Sequence, residues 1–494
     1  MATAEDTPTA KRARTGAAGA GEAAPLRLAP GLLDDGFTTR FHAAFTGASG
    51  DCTVDLAADG TGGEVTAKPF ATGRLRGAFP AAFLHSLKAE LGAMAWHERS
   101  NDLYWFHQTD DLALEGRQHV KQLRDYMAGD EFVGFMEKLT GVQLARGRLD
   151  MAAQRYKRGN HLLCHDDDVQ QGEMTRRIAY IIYLVDEGWS AEDGGALGLF
   201  ATDDSGYPTR VVARIVPEFN SIGFFLTGQA SFHTVEEVTV ADDMAERWSV
   251  TGWFYGPVAQ ATAHPNAALP PLPRSVLPPI DALGPADADG DADEWARWIS
   301  ADYLQSAVQT RIQDTFLEQS SVELRAFLQP AVAAAAQAEF QAAAWTASRA
   351  PAHVCAHLEA APPAGTTLDG LCQFLRSASF GRFLEKLTTL DAASASQQLR
   401  RFERGHYTLI NDQALEPDGL DATLSLLAPD IDWDEAWGGA THYIADKNEL
   451  LRIQPAANSL SLVLRDEGTL RFVKHVSHAA QAVRQDIAMV FIEA

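Results

Sequence analysis

The chain has 494 residues, with 41 Lys and Arg against 66 Asp and Glu and a formal net charge of -25. That length allows two or three domains with proper cores, and the charge argues against a groove that tracks nucleic-acid phosphates while favouring attraction of a basic protein. Four cysteines without a CxxC pair argue against a disulfide scaffold, and no apolar run reaches membrane-spanning length or makes a secretory leader, so a soluble intracellular protein is expected.

Residues 1–26 carry hardly any bulky apolar side chains and are expected to be a disordered tail; Lys11-Arg12-Ala13-Arg14 within it is a candidate nuclear-import patch. Over 79–105 and 120–139 apolar residues recur at helical spacing, as in Phe83, Leu87, Leu91 and Met94, predicting helices that buttress a sheet. From residue 148 to 255 the pattern changes to short strands at 178–185, 211–215, 221–226 and 248–255, with turns at Gly194-Gly195, Gly206 and Pro208. A jelly roll, the double-stranded β-helix, accommodates strands at this spacing. Seven prolines from 265 to 293 predict a stiff exposed linker, and an alanine-rich stretch at 331–344 predicts helices beside a further sheet.

The second half echoes the first. Arg155-Tyr156-Lys157-Arg158-Gly159 recurs as Arg401-Phe402-Glu403-Arg404-Gly405, an offset of 246 (401 − 155) that carries His165 to Asn411 and Asp167 to Gln413. Gly194-Gly195-Ala196 returns as Gly438-Gly439-Ala440, and 247–254 as 484–491; Phe232-His233 falls near Phe472-Val473 unless a small gap brings His475 into register. The expected architecture is mainly β with flanking helices (α+β): two tandem, cupin-like double-stranded β-helix domains from a duplication. Its layout is a tail at 1–26, a catalytic domain at 27–258, a Pro/Asp-rich linker at 259–293 and a non-catalytic domain with helices at 294–494.

The chemistry concentrates in Cys164-His165-Asp166-Asp167-Asp168. Side chains alternate along a strand, so His165 and Asp167 are expected on one face. His233 would complete a set of two histidines and one carboxylate, which holds Fe(II) on one side of its octahedron and leaves the other open for a chelating cosubstrate and dioxygen. The far carboxylate of 2-oxoglutarate would need a fixed cation with paired donors, the role expected of Arg247, with Ser249 adding a hydroxyl from the same strand face. In a helix His161 and His165 would instead pair one turn apart as zinc ligands, but the β-branched and aromatic surroundings favour strands. Asp166 and Asp168 are expected to be solvated loop carboxylates. No catalytic side chain beyond the metal ligands is required.

Leu162-Leu163-Cys164-His165-Asp166-Asp167, Arg176-Arg177-Ile178-Ala179-Tyr180, Ser231-Phe232-His233 and Arg247-Trp248-Ser249-Val250-Thr251-Gly252-Trp253-Phe254, followed by a metal-free second domain, resemble the ribosomal prolyl hydroxylases over nearly the whole chain except the tail. The resemblance implies Fe(II), 2-oxoglutarate and O2, with ascorbate as an accessory reductant, and a location in cytoplasm and nucleus. It implies iron ligands at His165, Asp167 and His233, and cosubstrate contacts from Arg247, Tyr156 and Tyr183; Ser249 and Cys164 are counted with these contacts. It also implies a basic protein substrate, a small-subunit ribosomal protein hydroxylated at carbon 3 of a proline near the decoding centre, with an effect on translation. A further protein partner is expected at the second domain, and neither nucleic acid nor membrane is. The loop at 169–175 is longer than the family usually has, which would alter substrate choice or the number of hydroxyls added. Two other readings remain: an oxygenase acting on a different protein, and a non-enzymatic scaffold that senses iron or oxygen while binding translation or transcription partners.

Overall fold

The computed structural model describes residues 25–47, 52–55, 61–242, 244–258, 278–285, 288–348, 351, 353–358, 361–410, 417–446 and 448–493. The candidate import patch at 11–14, the first four linker prolines and the positions of Asn411 and Gln413 lie outside them.

The first sheet has fourteen strands. In chain order they are β1 (Cys52–Asp55), β2 (Gly62–Thr66), β3 (Thr72–Arg76), β4 (His97–Ser100), β5 (Tyr104–Gln108), β6 (Leu149–Tyr156) and β7 (His161–His165). Then follow β8 (Gln170–Gln171), β9 (Met174–Tyr183), β10 (Leu197–Thr202), β11 (Pro208–Ile215), β12 (Ser221–Leu226), β13 (His233–Val235) and β14 (Arg247–Pro257). They bond in the order β1-β2-β3-β12-β9-β14-β6-β5-β7-β13-β10-β11, with β4 on β5 and β8 on β9. Along β9, Ile178, Tyr180 and Ile182 face a layer of helices while Ala179, Ile181 and Tyr183 face the interior. Both faces are buried, so this run is continuously apolar instead of alternating. The helices α1 (Asp35–Gly47), α2 (Ala81–Gly92), α3 (Gln118–Ala128) and α4 (Asp130–Thr140) cover the outer face through side chains such as Phe41, Leu87, Leu123 and Met136.

Helical spacing stops sooner than the sequence predicts. α2 ends at Gly92, and β4 and β5 pair as a hairpin. The run Tyr104-Trp105-Phe106 favours a pleated surface, and the Asn101 side chain closes the turn by accepting from the amides of Leu103 and Tyr104 at 2.9 Å each. Leu26 and Leu28, at the expected end of the tail and start of the first domain, are buried in the core.

Around the second sheet, Asp281–Ala282 pairs with Ser394 and Ala395, and Asp291 binds Arg382 through two bonds of 2.6 and 2.7 Å. The described residues from 281 to 293 are therefore tied to the second sheet, while Asp281, Ala282 and 288–290 stay exposed. Ser321–Arg325, Ser459–Arg465, Gly419–Ser425, Arg484–Glu493 and Ala392–Phe402 are neighbours in that order, opposite a smaller sheet of Asn448–Ile453, Thr441–Ala445 and Leu470–Val473.

The echo between halves extends to the backbone. Asn220 and Asn458 both take positive φ, and each clamps a distant peptide, at Phe79 and Leu328, through one accepted and one donated bond. Register equates Arg247 with Arg484, Ser249 with Asp486 and Gln154 with Arg400. It also equates His233 with Arg471, because His233 lies opposite Leu199 and Arg471 opposite Tyr443. Val473 takes the place of Val235 and His475 that of Glu237, so neither is the counterpart of His233.

Where the first domain keeps a cavity, the second is filled with ion pairs. Asp486 is fully buried between Arg484 at 2.6 Å and Arg400 at 2.8 Å, and Asp421 between Arg465 at 3.3 Å and Arg471 at 2.8 Å. An internal carboxylate thus neutralises the arginine that corresponds to Arg247. Asp486→Asn would leave two buried guanidinium groups uncompensated and cost about 3–5 kcal/mol. Chemical denaturation checks this, and a change within about 0.5 kcal/mol, the range of surface substitutions, would contradict it.

Candidate iron and cosubstrate site

His165 at the end of β7 lies opposite His233 at the start of β13, with ring centroids 4.1 Å apart. In each ring Nδ1 sits 2.8 Å from the carbonyl two residues upstream, Leu163 or Ser231. Donation there fixes the tautomer and leaves the Nε2 lone pair for a ligand. Asp167 arrives by a different route from the alternation the sequence suggests. β7 stops at His165, and Asp167 takes φ 65°, a left-handed conformation that Asp tolerates, which turns its carboxylate back toward the histidines.

Asp167 Oδ1 is 3.5 Å from His165 Nε2, Oδ2 is 3.3 Å from His233 Nε2, and the three ligand atoms lie within 4.8 Å of one another. Among the described residues no other group of three His, Cys, Asp or Glu gathers in this way. Burial and the neighbouring His233 push His165 down to about 4, so it is neutral at pH 7. Burial opposes charge on Asp167, but His165, His233 and the indole N–H of Trp253 outweigh it and hold the carboxyl well below its ordinary value. Free imidazole lone pairs beside a charged carboxylate suit a divalent ion.

Trp253 Nε1 donates to Asp167 Oδ2 at 3.1 Å, and the guanidinium carbon of Arg176 stacks 3.5 Å from the indole centroid. Sequence reasoning missed Trp253. The alternation along β14 that selects Arg247 and Ser249 also selects Thr251 and Trp253, and all four line the same cavity of about 420 Å³ with His165, Asp167 and His233. That volume lies in the usual range for a small-ligand site.

Arg247 is 1% exposed. Its Nε donates to the Gly195 carbonyl at 2.7 Å, Nη1 lies 3.5 Å from Ser249 Oγ, and the rings of Tyr156 and Tyr183 flank it at 5.1 and 5.2 Å. Nη2 and the Tyr183 hydroxyl are buried without a hydrogen-bond partner. Such donors are costly to leave unmet, and a ligand carboxylate is the acceptor that fits a guanidinium edge. Gly195 has φ 67°, and a Cβ there would meet Arg247 Cδ at 2.6 Å, so only glycine allows the approach. The sequence marked Gly194-Gly195 as a turn but not as the support of this arginine.

Tyr156 turns its hydroxyl to Gln154 at 3.2 Å and offers Arg247 its ring. Cys164 is not brought to the cavity; it packs with Phe200 and Phe232, and burial raises its thiol pKa, as in an inert core cysteine. The cause is ordinary strand alternation, which puts Cys164 on the face opposite its neighbour His165. His233 pairs with His165 but Val235 with Leu162, so β7 carries an extra residue, and Leu162 and His165 both reach the cavity. His161 lies on the strand with Nδ1 3.0 Å from the Gly159 carbonyl, not one helical turn from His165. Residues 169–175 contain the short β8–β9 hairpin, turned at Gly172 with φ 63°. A larger cleft of about 880 Å³ between the two sheets contains none of the three clustered ligands.

An open metal site beside a waiting carboxylate receptor is the chemistry of the Fe(II)- and 2-oxoglutarate-dependent oxygenases, and this chain is an enzyme of that class. Residues 151–255 match the 2OG-Fe(II) oxygenase superfamily, and residues 290–493 match the family described as oxoglutarate and iron-dependent oxygenase degradation C-term. Prolyl 3-hydroxylase OGFOD1 of Xenopus laevis is 32% identical over 458 residues, covering 81% of each chain. Its Mus musculus namesake is 31% identical over 470 residues, covering 80% of this chain and 82% of its own. Prolyl 3,4-dihydroxylase OGFOD1 of Ostreococcus tauri is 29% identical, covering 82% of this chain and 90% of its own. A solved Pseudomonas putida prolyl-4-hydroxylase aligns with 37% of this chain and 91% of its own at 21% identity and a TM-score of 0.30. The chain belongs to the prolyl 3-hydroxylase family.

Proposed function

We propose that this chain hydroxylates carbon 3 of a prolyl residue in a small-subunit ribosomal protein near the decoding centre, acting in cytoplasm and nucleus. One observation carries the reading: His165, Asp167 and His233 share a cavity with Arg247, whose Nη2 has no partner within the protein. The prolyl substrate is supported by the names of the relatives. The ribosomal identity is supported by the sequence resemblance and by the net charge of -25, which would attract a basic protein. Among the described residues no helix is long and apolar enough to cross a membrane.

His165 Nε2, the Asp167 carboxylate and His233 Nε2 would hold the iron, while Arg247, with the Ser249 and Tyr183 hydroxyls, would hold the far carboxylate of 2-oxoglutarate. When bound, iron and cosubstrate together activate dioxygen for insertion of one oxygen atom into a C–H bond, with succinate and carbon dioxide as co-products. The chain supplies placement. The Nδ1 bonds to Leu163 and Ser231 stop the imidazoles from rotating, the indole N–H of Trp253 orients Asp167, and Leu162, Ile181, Phe225 and Val235 give the cavity an apolar wall.

Incubation with the decoding-centre protein, Fe(II), 2-oxoglutarate, ascorbate and oxygen, followed by mass spectrometry, tests this proposal. One prolyl residue should gain one oxygen atom, or two if the chain behaves as the Ostreococcus tauri relative is named. Succinate without a heavier product would point to another protein substrate. No 2-oxoglutarate turnover at all would favour a binding scaffold.

A further inference from the structure

The hairpin β4–β5 forms one wall of the catalytic cavity, contributing Arg99, Leu103, Tyr104, Phe106 and Gln108. β5 is tied to β6 and β7, but β4 is exposed along its whole length and, among the described residues, pairs with no strand except β5. A hairpin tip of this kind is ordinarily among the more mobile parts of a fold. This one is held from the second domain. Lys474, just after the strand Leu470–Val473, donates to the carbonyl of Asn101, to Ser100 Oγ at 3.1 Å and to the Tyr104 carbonyl at 3.4 Å. Three ammonium hydrogens thus meet three acceptors around one turn. Ile410 N–H donates to the buried Asp102 carboxylate at 3.1 Å, and Leu103 packs against the cluster of Leu163, Tyr407 and Leu409.

The clamp is not shared by the two halves. Lys474 and Glu236 occupy equivalent positions, each with its own N–H on an equivalent carbonyl, Ala440 or Ala196, so the second domain carries a cation where the first carries an acid. Its ammonium crosses to the turn whose next two residues, Leu103 and Tyr104, face the site.

We infer that Lys474, supported by Ile410, is a positioning residue for the prolyl substrate, and that the metal-free domain completes the catalytic cavity by fixing residues 100–104 at its wall. This rests on the reading of that cavity as the hydroxylase site. Without the clamp the chain keeps its metal and cosubstrate groups, which lie on other strands, but loses the shape of the surface that receives the substrate.

The full chain carrying Lys474→Met or Lys474→Arg tests the inference, with Asp102→Ala as a second route to the same turn should Lys474→Met fold poorly. Lys474→Met should raise KM for the prolyl peptide about tenfold, the order of one charge-assisted hydrogen bond. The 2-oxoglutarate Kd and the peptide-independent turnover of 2-oxoglutarate should stay unchanged, and amide exchange should accelerate across residues 97–108. Lys474→Arg, which retains a cation and donors, should recover most of the KM. The exchange readout needs no substrate, so a wrong clamp and a wrong substrate can be told apart. Unchanged KM and exchange in both Lys474→Met and Asp102→Ala, or a loss of 2-oxoglutarate affinity as large as the loss of peptide affinity, would overturn the inference.

Discussion

Asp167→Asn should abolish hydroxylation, by at least about a thousandfold, because it would remove the anionic member of the proposed metal set while leaving the cavity its shape. Groups that merely orient a ligand cost about 10- to 100-fold when lost, and a ligand itself costs more. Asparagine is the cleaner substitution because position 167 has φ 65°, which Asn adopts about as readily as Asp and which Ala resists. The folded state should be somewhat less stable. His165, His233 and Trp253 favour the charged carboxylate by more than burial opposes it, so a neutral side chain loses that surplus. Titration with Mn(II) should show loss of tight binding, while the metal-free variant should still unfold cooperatively, at a modestly lower temperature than the parent. Retention of both Mn(II) affinity and activity would remove Asp167 from the site.

Arg247→Ala raises the Kd for 2-oxoglutarate by about 100-fold or more, the scale of a buried, hydrogen-bonded charge pair that loses one partner. Arg247→Lys recovers only part of this. A lysine keeps the charge but has no planar edge to give Nε to Gly195 while two other nitrogens face a carboxylate. Both variants should still bind Mn(II), since Arg247 holds no ligand atom of the clustered three. Calorimetric titration of 2-oxoglutarate into the Mn(II)-loaded chain, without oxygen, measures this, and a change of less than about threefold in Arg247→Ala would show that another group carries the carboxylate.

The parts of this site that were legible in the sequence are local ones. His165, Asp167 and Arg247 sit in short runs whose residue types state their chemistry, and Ser249 follows from a strand period of two. What the sequence concealed depends on backbone detail or on distant partners. The positive φ at Asp167 replaces the expected strand alternation, and the extra residue in β7 brings Leu162 to the cavity wall beside His165. Residues 97–105 looked helical because their aromatic residues extended the stripe of α2, whereas the Asn101 turn and pairing with β6 and β7 made them strands. Tertiary pairing overrode local pattern there. The counterpart of His233 was misplaced because the spacing of the copy shifts between its strands, and only the sheet register identifies Arg471. The clamp by Lys474 joins residues at least 370 positions apart, which no local pattern reports.

The most direct test is the structure of the chain bound to Mn(II) and 2-oxoglutarate. The account predicts one ion about 2 Å from His165 Nε2, an Asp167 oxygen and His233 Nε2, as for first-row metals with such ligands. It also predicts the far carboxylate of 2-oxoglutarate against Arg247 Nη2 and the Tyr183 hydroxyl. An ion held by other residues, or a cosubstrate carboxylate placed away from Arg247, would contradict it.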